Sequence, residues 1–433
     1  MKQTIKILAI ETSCDETAAA VIGEADEISN SKFLISKRIQ NSRFKFPKIM
    51  SNVVSSQVDL HAKTGGIVPE VASRAHMESI LPVIEEALLL ANSNARASMI
   101  NQTSNSPPMP RLRRAGKFQN KKFGNLNIEH LLGDITHIAV TNGPGLIGSL
   151  LVGFNAAKTI AYVRNLPLIP INHIEGHIYS AFSREFSIFN FHFSNKSQIP
   201  NSNTQKINSL QLTADNFPVL ALTVSGGHTS LALMKNHGEY ETIGETIDDA
   251  AGEAFDKVAK LLGLGYPGGP VVSKFASEFR NKTYNLQLTT YSFPRPLLNK
   301  PNFDFSFSGL KTAVLTKVLK MTTNNRQLTT DEKEQLCFAF EEAVVDVLAT
   351  KTLRAAKKFK PRTVILAGGV AANSRLREEL SLRLKTYNLV LLMPPIELCG
   401  DNAAMIGLAA YYHIVSGESG DWRKAKVDAN LEL

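Results

Sequence analysis

Cysteine is scarce in this chain of 433 residues, which has only Cys14, Cys337 and Cys399 and no CxxC pair. An odd number of scattered cysteines argues against a disulfide framework and predicts reduced thiols. No apolar run approaches the roughly 18 residues that a membrane span needs. A basic, apolar leader is also missing, since residues 5–10 are typical of a buried first strand. These absences predict a cytoplasmic protein.

Acidic residues are absent from two long stretches, although the whole chain has a net charge of only +9. Residues 32–58 hold six Lys or Arg side chains and residues 93–125 hold seven, without one Asp or Glu. Clusters of this kind are typical of surfaces that bind a polyanion through its phosphates. A solvated basic loop without a ligand is the alternative that charge alone leaves open.

Four segments repeat one local pattern, an apolar strand followed by a turn of Gly, Ser, Thr or Asp and then a helix. They are residues 5–17, 137–161, 219–229 and 364–374. Glycine lets the backbone approach a ligand closely, and free N–H groups at a helix start attract anions. The repetition predicts phosphates gripped between two α/β halves. The P-loop and dinucleotide-binding glycine motifs are missing, which disfavours those two folds.

The chain is longer than one ordinary hydrophobic core, so two domains are expected. We predict an N-terminal domain over residues 1–170 and a C-terminal domain over residues 171–400. A closing helix in residues 401–433 is expected to pack back on the first domain. Composition also predicts three surface insertions, near residues 36–56, 92–127 and 184–216.

His173 and His177 stand four residues apart in the segment NHIEGH. Positions i and i+4 lie on one face of a helix, so both imidazoles can bind the same metal ion. A zinc peptidase would have Glu directly after the first His, but Ile174 occupies that position and Glu175 points to another face. The pair therefore predicts a metal that holds or polarises a substrate. Two histidines with ordinary hydrogen bonds are the alternative.

Ten motifs follow one another along the chain, among them ETSCDET at residues 11–17, NGPGLIGSLLVG at 142–153, VSGGHT at 224–229 and DNAAM at 401–405. In this order they closely resemble the TsaD family of tRNA threonylcarbamoyladenosine enzymes, over nearly the whole chain. The resemblance implies an α/β protein of the actin-like ATPase (ASKHA) fold, in which two ribonuclease-H-like domains flank a cleft. ETSCDET favours the bacterial or organellar branch, and the missing transit peptide favours bacterial cytoplasm.

Members of that family transfer the threonylcarbamoyl group of threonylcarbamoyl-AMP to the N6 amine of an adenosine in tRNA and release AMP. The target is the adenosine 3′ of the anticodon in tRNAs that read ANN codons. The resemblance thus implies tRNA and threonylcarbamoyl-AMP as ligands, with a TsaB-like paralogue and a small TsaE-like ATPase as partners. The alternative is an ATP-dependent small-molecule kinase on the same fold, which would leave His173 and His177 without a role.

The resemblance also implies roles for individual residues. His173, His177 and Asp401 match the metal ligands, a set typical of ferrous iron, although zinc also fits. Eight positions match the substrate pocket, with Asp256 expected on the ribose and Asn373 near the base: Thr223, Val224, Ser225, Gly226, Gly227, Asp256, Gly269 and Asn373. Three acids are the candidates for the catalytic proton acceptor facing the cleft: Glu11, Asp15 and Glu16. The alternatives are an N-cap role for Asp401 and a solvated helix-surface position for Asp256.

The second basic stretch generates a prediction about tRNA binding. The variant replaces five side chains by Ser: Arg111, Arg113, Arg114, Lys121 and Lys122. Fewer counterions are then released per complex, so the plot of log affinity against log salt is expected to flatten by roughly 0.7–0.9 for each phosphate that the variant no longer neutralises. Filter binding of tRNA at several salt concentrations measures the slope. An unchanged slope rejects a role for these side chains.

Overall fold

The computed structural model describes residues 4–25, 46–100, 113–114, 128–183, 216–282, 291–323 and 326–433. Within these ranges the chain forms two mixed β-sheets, one before residue 173 and one after residue 218. Helices pack on both sheets, so the predicted α/β class is confirmed.

The first sheet has six strands: β1 (Ile7–Glu11), β2 (Glu16–Ala25), β3 (Phe46–Ser56), β4 (Arg113–Arg114), β5 (His137–Gly143) and β6 (Leu168–Asn172). They lie in the order β4-β3-β2-β1-β5-β6. The strand β1 is antiparallel to β2 and parallel to β5, and β5 is parallel to β6. Every residue of β1 is buried, as its continuous apolar run predicts for a central strand covered on both faces. The carboxyl ends of β1, β5 and β6 therefore open on one edge.

The second sheet has five strands: β7 (Val219–Val224), β8 (Thr229–Asn236), β9 (Glu239–Glu245), β10 (Thr363–Ala367) and β11 (Val390–Leu392). Their order is β11-β10-β7-β8-β9, with β7 antiparallel to β8 and parallel to β10. Read from its other edge, the second sheet has the order β9-β8-β7-β10-β11. Apart from the short β4, it therefore matches the first sheet, β3-β2-β1-β5-β6, in both strand order and strand directions. This repeated topology confirms the pair of ribonuclease-H-like halves. The boundaries at residues 170 and 400 stay a prediction.

The described residues form eleven α-helices: α1 (Val58–His61), α2 (Pro69–Ile100), α3 (Ile128–Leu131), α4 (Ile147–Arg164), α5 (His173–Ser180), α6 (Ala251–Leu261), α7 (Gly268–Lys282), α8 (Ser308–Met321), α9 (Thr330–Phe359), α10 (Ser374–Lys385) and α11 (Ala403–Val415). The starts of α5, α9, α10 and α11 are fixed by N-cap side chains of Asn or Thr. In this part of the chain no helix is both long enough and apolar enough to cross a membrane.

The helix α11 follows the second sheet in sequence but packs on the first. Residues 403–411 are all buried, against strands β1, β2 and β3 and against α5. A Cβ at Gly407 would collide with Ile22, and one at Gly176 of α5 would lie 2.7 Å from Ile406 Cδ1. These two glycines let α11 approach both the sheet and α5 closely. The start of α11 is thereby brought beside the start of α5.

The first predicted insertion is wrong for residues 46–56, which form the strand β3. It pairs with β2 along its whole length, and Ile49 and Val53 are buried. Polar residues between these positions concealed the strand pattern in the sequence. The helix α2 likewise continues to Ile100, into the predicted insertion at residues 92–127. Apart from Arg113–Arg114, the remaining residues of that insertion, the residues 26–45 and the residues 184–215 lie outside the described ranges.

Candidate functional site

The helix α5 begins directly after strand β6, and Asn172 caps its first turn. The Asn172 side-chain oxygen accepts hydrogen bonds from the N–H groups of Ile174 (2.8 Å) and Glu175 (3.3 Å). This cap makes His173 the first helical residue, so His177 lies one turn later on the same face. The two ring centroids are 4.7 Å apart, and both side chains are buried.

Asp401 approaches the two histidines from the turn before α11. Its Oδ1 lies 3.2 Å from His177 Nε2 and 3.5 Å from His173 Nε2. The N-cap of α11 is Asn402, whose side chain accepts a hydrogen bond from Met405 N at 3.1 Å. The alternative role of Asp401 as the helix cap therefore does not apply, and its carboxylate faces the imidazoles.

The donor atoms of this cluster converge, since one from each of His173, His177 and Asp401 lies within 4.8 Å of the other two. His177 is fully buried, and neither of its ring nitrogens has a hydrogen-bond partner among the described residues. Asp401 is near Nε2, but the pair lacks hydrogen-bond geometry. Buried imidazole nitrogens cost free energy unless something binds them. The residues fit a divalent cation, which such a set binds with coordination positions left open.

Glu11 lies behind His173, at the carboxyl end of β1. It is fully buried, and its Oε2 is 3.0 Å from His173 Nδ1. The same oxygen accepts a hydrogen bond from Thr141 Oγ1 at 2.5 Å, and Oε1 accepts one from Ser13 N. The prediction that Glu11 faces the cleft is therefore corrected. The side chains of the two adjacent strands β1 and β5 enclose it instead.

The carboxylates and imidazoles of the cluster change one another's pKa values. Burial alone would lower the pKa of His173, but Asp401 and Glu11 outweigh burial and raise it to about 9. Burial would raise the pKa of Asp401, but His173 and His177 hold it far below its usual range. A cation that binds here replaces the imidazole protons, so binding releases protons.

Asp15 and Glu16 lie where the first half meets the second. Burial, followed by the charge of Asp15, raises the pKa of Glu16 well above its usual range. Burial and the charges of Asp15 and Asp256 also raise the pKa of Tyr266. Asp256 and Tyr266 belong to the second half, so the charge of Asp15 acts on groups of both halves. A raised pKa makes the ionised form of a carboxyl group a stronger base.

Two glycine turns of the second half lie side by side, at the carboxyl ends of the parallel strands β7 and β10. Gly368 has a φ of 90°, and a Cβ there would collide with the Val224 carbonyl. The side chains of Thr223 and Val224 are buried in the sheet. Only the backbone of these two residues is therefore available at the turn. The turn after β7 is closed by a hydrogen bond from Ser225 N to His228 O at 2.8 Å.

Several glycines of the second half face open space, among them Gly226, Gly227, Gly269 and Gly369. Leaving out adjoining residues and the glycine's own helix, no atom of the described residues lies within 4 Å of a Cβ built at these four positions. A backbone that is free on one side can approach a ligand closely. Gly226, Gly227 and Gly269 are three of the predicted substrate positions, and the structure leaves room beside each.

The glycines after β5 behave differently, because they pack against the chain itself. A Cβ at Gly143 would strike the Asp428 carbonyl, and one at Gly145 would lie 2.6 Å from Ser13 O. Gly145 N also donates to Ala429 O at 3.1 Å. The interpretation that all four repeated turns grip phosphates is corrected here, since the C-terminal segment closes this turn.

Asp256 and Asn373 each accept a hydrogen bond from the start of a helix, α7 and α10 respectively. Asp256 Oδ1 accepts a hydrogen bond of 2.7 Å from the first N–H of α7, and burial raises its pKa. Asn373 caps α10 by accepting from Leu376 N at 2.8 Å. The Asn373 amide donates to Ser273 Oγ and Glu341 Oε1, both at 2.8 Å. With both amide hydrogens used, Asn373 has only its oxygen left for a ligand.

His228 is a nearby residue that the sequence interpretation did not select. Burial, together with the charges of the neighbouring His173 and His177, lowers its pKa to about 4. Its imidazole is therefore neutral near pH 7, and it lies close enough to the cluster for the charges of His173 and His177 to lower its pKa. Its position directly after Ser225-Gly226-Gly227 was the available signal.

Glu175 lies on the other face of α5, as helical spacing predicts. It accepts a hydrogen bond from Tyr240 Oη at 2.8 Å and lies 3.0 Å from His413 Nε2. His413 Nδ1 is 2.6 Å from Glu418 Oε2. Glu175 thus anchors α5 to β9 and α11 and does not reach the metal side.

Two ribonuclease-H-like halves with a cluster of two imidazoles and one carboxylate define an actin-like α/β protein with a metal-type site. A model of the TsaD family, described as tRNA N6-adenosine threonylcarbamoyltransferase, matches residues 48–100, 124–188 and 202–408. The chain belongs to this family. The unmatched residues 101–123 and 189–201 fall inside the second and third predicted insertions.

Curated relatives match the chain over nearly their full length. The tRNA N6-adenosine threonylcarbamoyltransferase of Staphylococcus haemolyticus is 40% identical over 431 residues, covering 100% of this chain and 96% of that protein. The enzyme of the same name from Shouchella clausii is 41% identical over 415 residues, covering 96% and 95%. Among solved structures, T. kodakarensis HypF is 12% identical, with a TM-score of 0.41. The match covers 67% of this chain and 44% of that chain, and no conclusion about this chain is drawn from it.

The bridge between α5 and α11 predicts a pH-dependent stability. Against the effect of burial, Glu175 and Glu418 raise the pKa of His413 from 6.5 to about 10. This stabilisation is fully present below pH 6.5 and is lost as pH rises through 10. His413→Gln is expected to lower the free energy of unfolding by about 1–2 kcal/mol at acidic pH, a discounted value because Glu418 is solvent-exposed. Well above pH 10 the variant and the wild type should unfold alike. Urea unfolding at both pH values measures this, and an equal loss at both contradicts it.

Proposed function

We propose that the chain transfers the threonylcarbamoyl group of threonylcarbamoyl-AMP to the N6 amine of the adenosine 3′ of the anticodon, in tRNAs that read ANN codons. The full-length match to tRNA N6-adenosine threonylcarbamoyltransferases carries this proposal. A small-molecule kinase is not favoured, because the named relatives are transferases and a kinase leaves His173, His177 and Asp401 unused. A tRNA substrate and three free cysteines support a cytoplasmic location.

His173, His177 and Asp401 are proposed to hold one divalent metal ion per subunit, with ferrous iron as the expected ion and zinc as the alternative. Their converging ligand atoms support the site, as do the His177 nitrogens, which have no hydrogen-bond partner among the described residues. When bound, the metal supplies Lewis-acid stabilisation of negative charge on a substrate oxygen. Burial of both imidazoles keeps water from competing with the substrate for that stabilisation.

The adenylate is proposed to lie against the open backbone of the second half. The Gly226 and Gly227 N–H groups are suited to the departing phosphate, because no side chain stands before them. Asp256 is assigned to the ribose hydroxyls, next to the open Gly269. Asn373 is assigned to the base, where its oxygen can accept a hydrogen bond. Thr223, Val224 and Ser225 contribute the backbone that leads into this pocket.

The reaction needs no protein nucleophile, because the carbamoyl carbon is already activated by its mixed anhydride with AMP. The N6 nitrogen attacks that carbon, the C–O bond to the phosphate breaks, and AMP leaves with the electron pair. Glu16 or Asp15 is proposed to accept the amine proton, with Glu16 favoured by its raised pKa. Holding both reactants in place contributes on the order of 7–11 kcal/mol.

Asp401→Asn tests the function and the metal together. The variant keeps the side-chain volume but removes the charge, so the rate is expected to fall by roughly 10²–10⁴-fold with loss of bound iron. The assay supplies tRNA, threonylcarbamoyl-AMP and the TsaB-like and TsaE-like partners, and mass spectrometry of tRNA nucleosides detects the product. Glu397→Gln, at an exposed acid four positions earlier, is the matched control. A wild-type rate and iron content in Asp401→Asn would reject the metal role, and absence of modified adenosine with the wild type would reject the function.

A TsaB-like paralogue is proposed to bind the face formed by α2 and α4, with a small TsaE-like ATPase completing the partner set. The helices are neighbours, since a Cβ at Gly148 would lie 2.5 Å from Ser73 Oγ. The large apolar side chains exposed on them include Met77 (62%), Leu81 (41%), Ile147 (53%) and Leu151 (41%). Contiguous exposed apolar side chains of this kind are typical of protein–protein interfaces.

The proposed interface on α2 and α4 predicts that a single charge introduced there weakens binding of the TsaB-like paralogue. Leu151→Asp is expected to weaken binding of the TsaB-like paralogue by at least tenfold, because a carboxylate would be buried without a partner. Leu319→Asp, on the distant helix α8 and 60% exposed in the wild type, is the control and should bind normally. Analytical ultracentrifugation of the mixed proteins measures the affinity. Equal binding by both variants places the partner elsewhere.

A further inference from the structure

Glu11 ends the central strand β1 in the ETSCDET motif, and it has no open side. It is 0% exposed. Its two oxygens accept hydrogen bonds from Ser13 N and Thr141 Oγ1 and face His173 Nδ1. A residue enclosed in this way cannot reach the tRNA amine as a proton acceptor. Its one contact with the candidate metal centre is the back of the His173 ring.

We propose that Glu11 is a positioning residue that holds the proton of His173 on Nδ1 and thereby directs Nε2 to the metal. Both Glu11 oxygens already accept hydrogen bonds, from Ser13 N and Thr141 Oγ1, so the carboxylate acts as an acceptor and its partner at 3.0 Å is an N–H group. A neutral imidazole with its proton on Nδ1 has its lone pair on Nε2, the nitrogen that faces Asp401 at 3.5 Å. This inference rests on the metal centre proposed above.

The fold holds Glu11 rigidly for this task. Ile10 pairs with Val140 in the parallel register of β1 and β5, so the next residues, Glu11 and Thr141, come together at the carboxyl ends of both strands. The turn after Glu11 is wedged under α4, where Thr12 Oγ1 donates to Ser149 O at 2.8 Å. The Glu11 carboxylate is thus held by the first sheet and by the start of α4, and it can in turn orient the His173 ring of α5.

The two histidine ligands differ in this respect. His173 Nδ1 has two partners, Glu11 at 3.0 Å and Ser13 Oγ at 3.1 Å. His177 Nδ1 has no hydrogen-bond partner among the described residues. Hydrogen bonds therefore fix the orientation of the His173 ring before a metal binds, but not that of the His177 ring. A carboxylate behind a ligating imidazole also makes it a more basic ligand, and its loss commonly costs 10–100-fold in metal affinity.

Glu11→Gln is the test, since it keeps the shape of the side chain but removes the charge. Two readouts are followed: Co²⁺ affinity from the absorption titration of the metal-free protein, and the His173 tautomer from ¹⁵N–¹H NMR of its ring in the zinc-bound protein. The expected result is a loss of Co²⁺ affinity of about 10–100-fold together with loss of the protected Nδ1–H signal. A residue with only a structural role would lower the unfolding midpoint and leave the tautomer unchanged.

Three control variants separate the possible outcomes. Glu334→Gln removes another buried, ion-paired carboxylate, 2% exposed and 2.7 Å from Lys282 Nζ, and should retain wild-type Co²⁺ affinity. Ser13→Ala removes the second partner of Nδ1 and should cost less affinity than Glu11→Gln. His177→Ala should lose Co²⁺ binding; retained binding would overturn the metal centre and this inference with it. Wild-type affinity in Glu11→Gln, with binding lost in His177→Ala, overturns the inference alone.

Thr141→Val serves as a second variant that leaves Glu11 in place. It removes the hydroxyl that donates to Glu11 at 2.5 Å and is nearly isosteric. Because the carboxylate is then held less firmly, Co²⁺ affinity is expected to fall several-fold, in the same direction as in Glu11→Gln. If Glu11→Gln does not fold, this variant decides the question, and unchanged affinity overturns the inference.

Discussion

The close packing of α11 on the first sheet is the constraint on which the candidate site depends. Asp401 stands directly before this helix and reaches His173 and His177 only because α11 returns to the N-terminal half. Gly407 and Gly176 permit the approach, since a Cβ at either position would collide with a neighbouring side chain. The cluster therefore forms only when α11 is packed on the N-terminal half.

The two halves share a topology but use it for different purposes. In the first half, the turns after β1 and β5 are packed against α4 and the C-terminal segment, so their glycines serve close contacts within the chain. In the second half, the turn after β7 and the start of α7 leave glycine backbone open to a ligand. One half thus supplies a rigid base of buried side chains for the metal centre. The other supplies accessible N–H groups for the proposed adenylate site.

The helix α5 is held from opposite sides, which limits the movement of the helix that carries both imidazoles. Glu11 lies behind His173 on the side of the sheet, whereas Glu175 connects the other face to Tyr240 and His413. Both acids are buried and both have their oxygens occupied. Neither needs to touch a substrate to affect the reaction. The motif residues around the site therefore divide into those that meet ligands and those that orient them.

Local periodicity was sufficient to predict the His173–His177 pair and the repeated strand–turn–helix units, because helix and strand spacing follow from neighbouring residues. Asp401 came only from family resemblance, since nothing near it in sequence connects it to the histidines. The strand β3 was missed because its burial depends on β2 and α2 beside it, and not on its own mixed composition. The enclosed position of Glu11 depends on the register of β1 against β5. Register and return packing join residues far apart in the chain, so only the tertiary structure decided them.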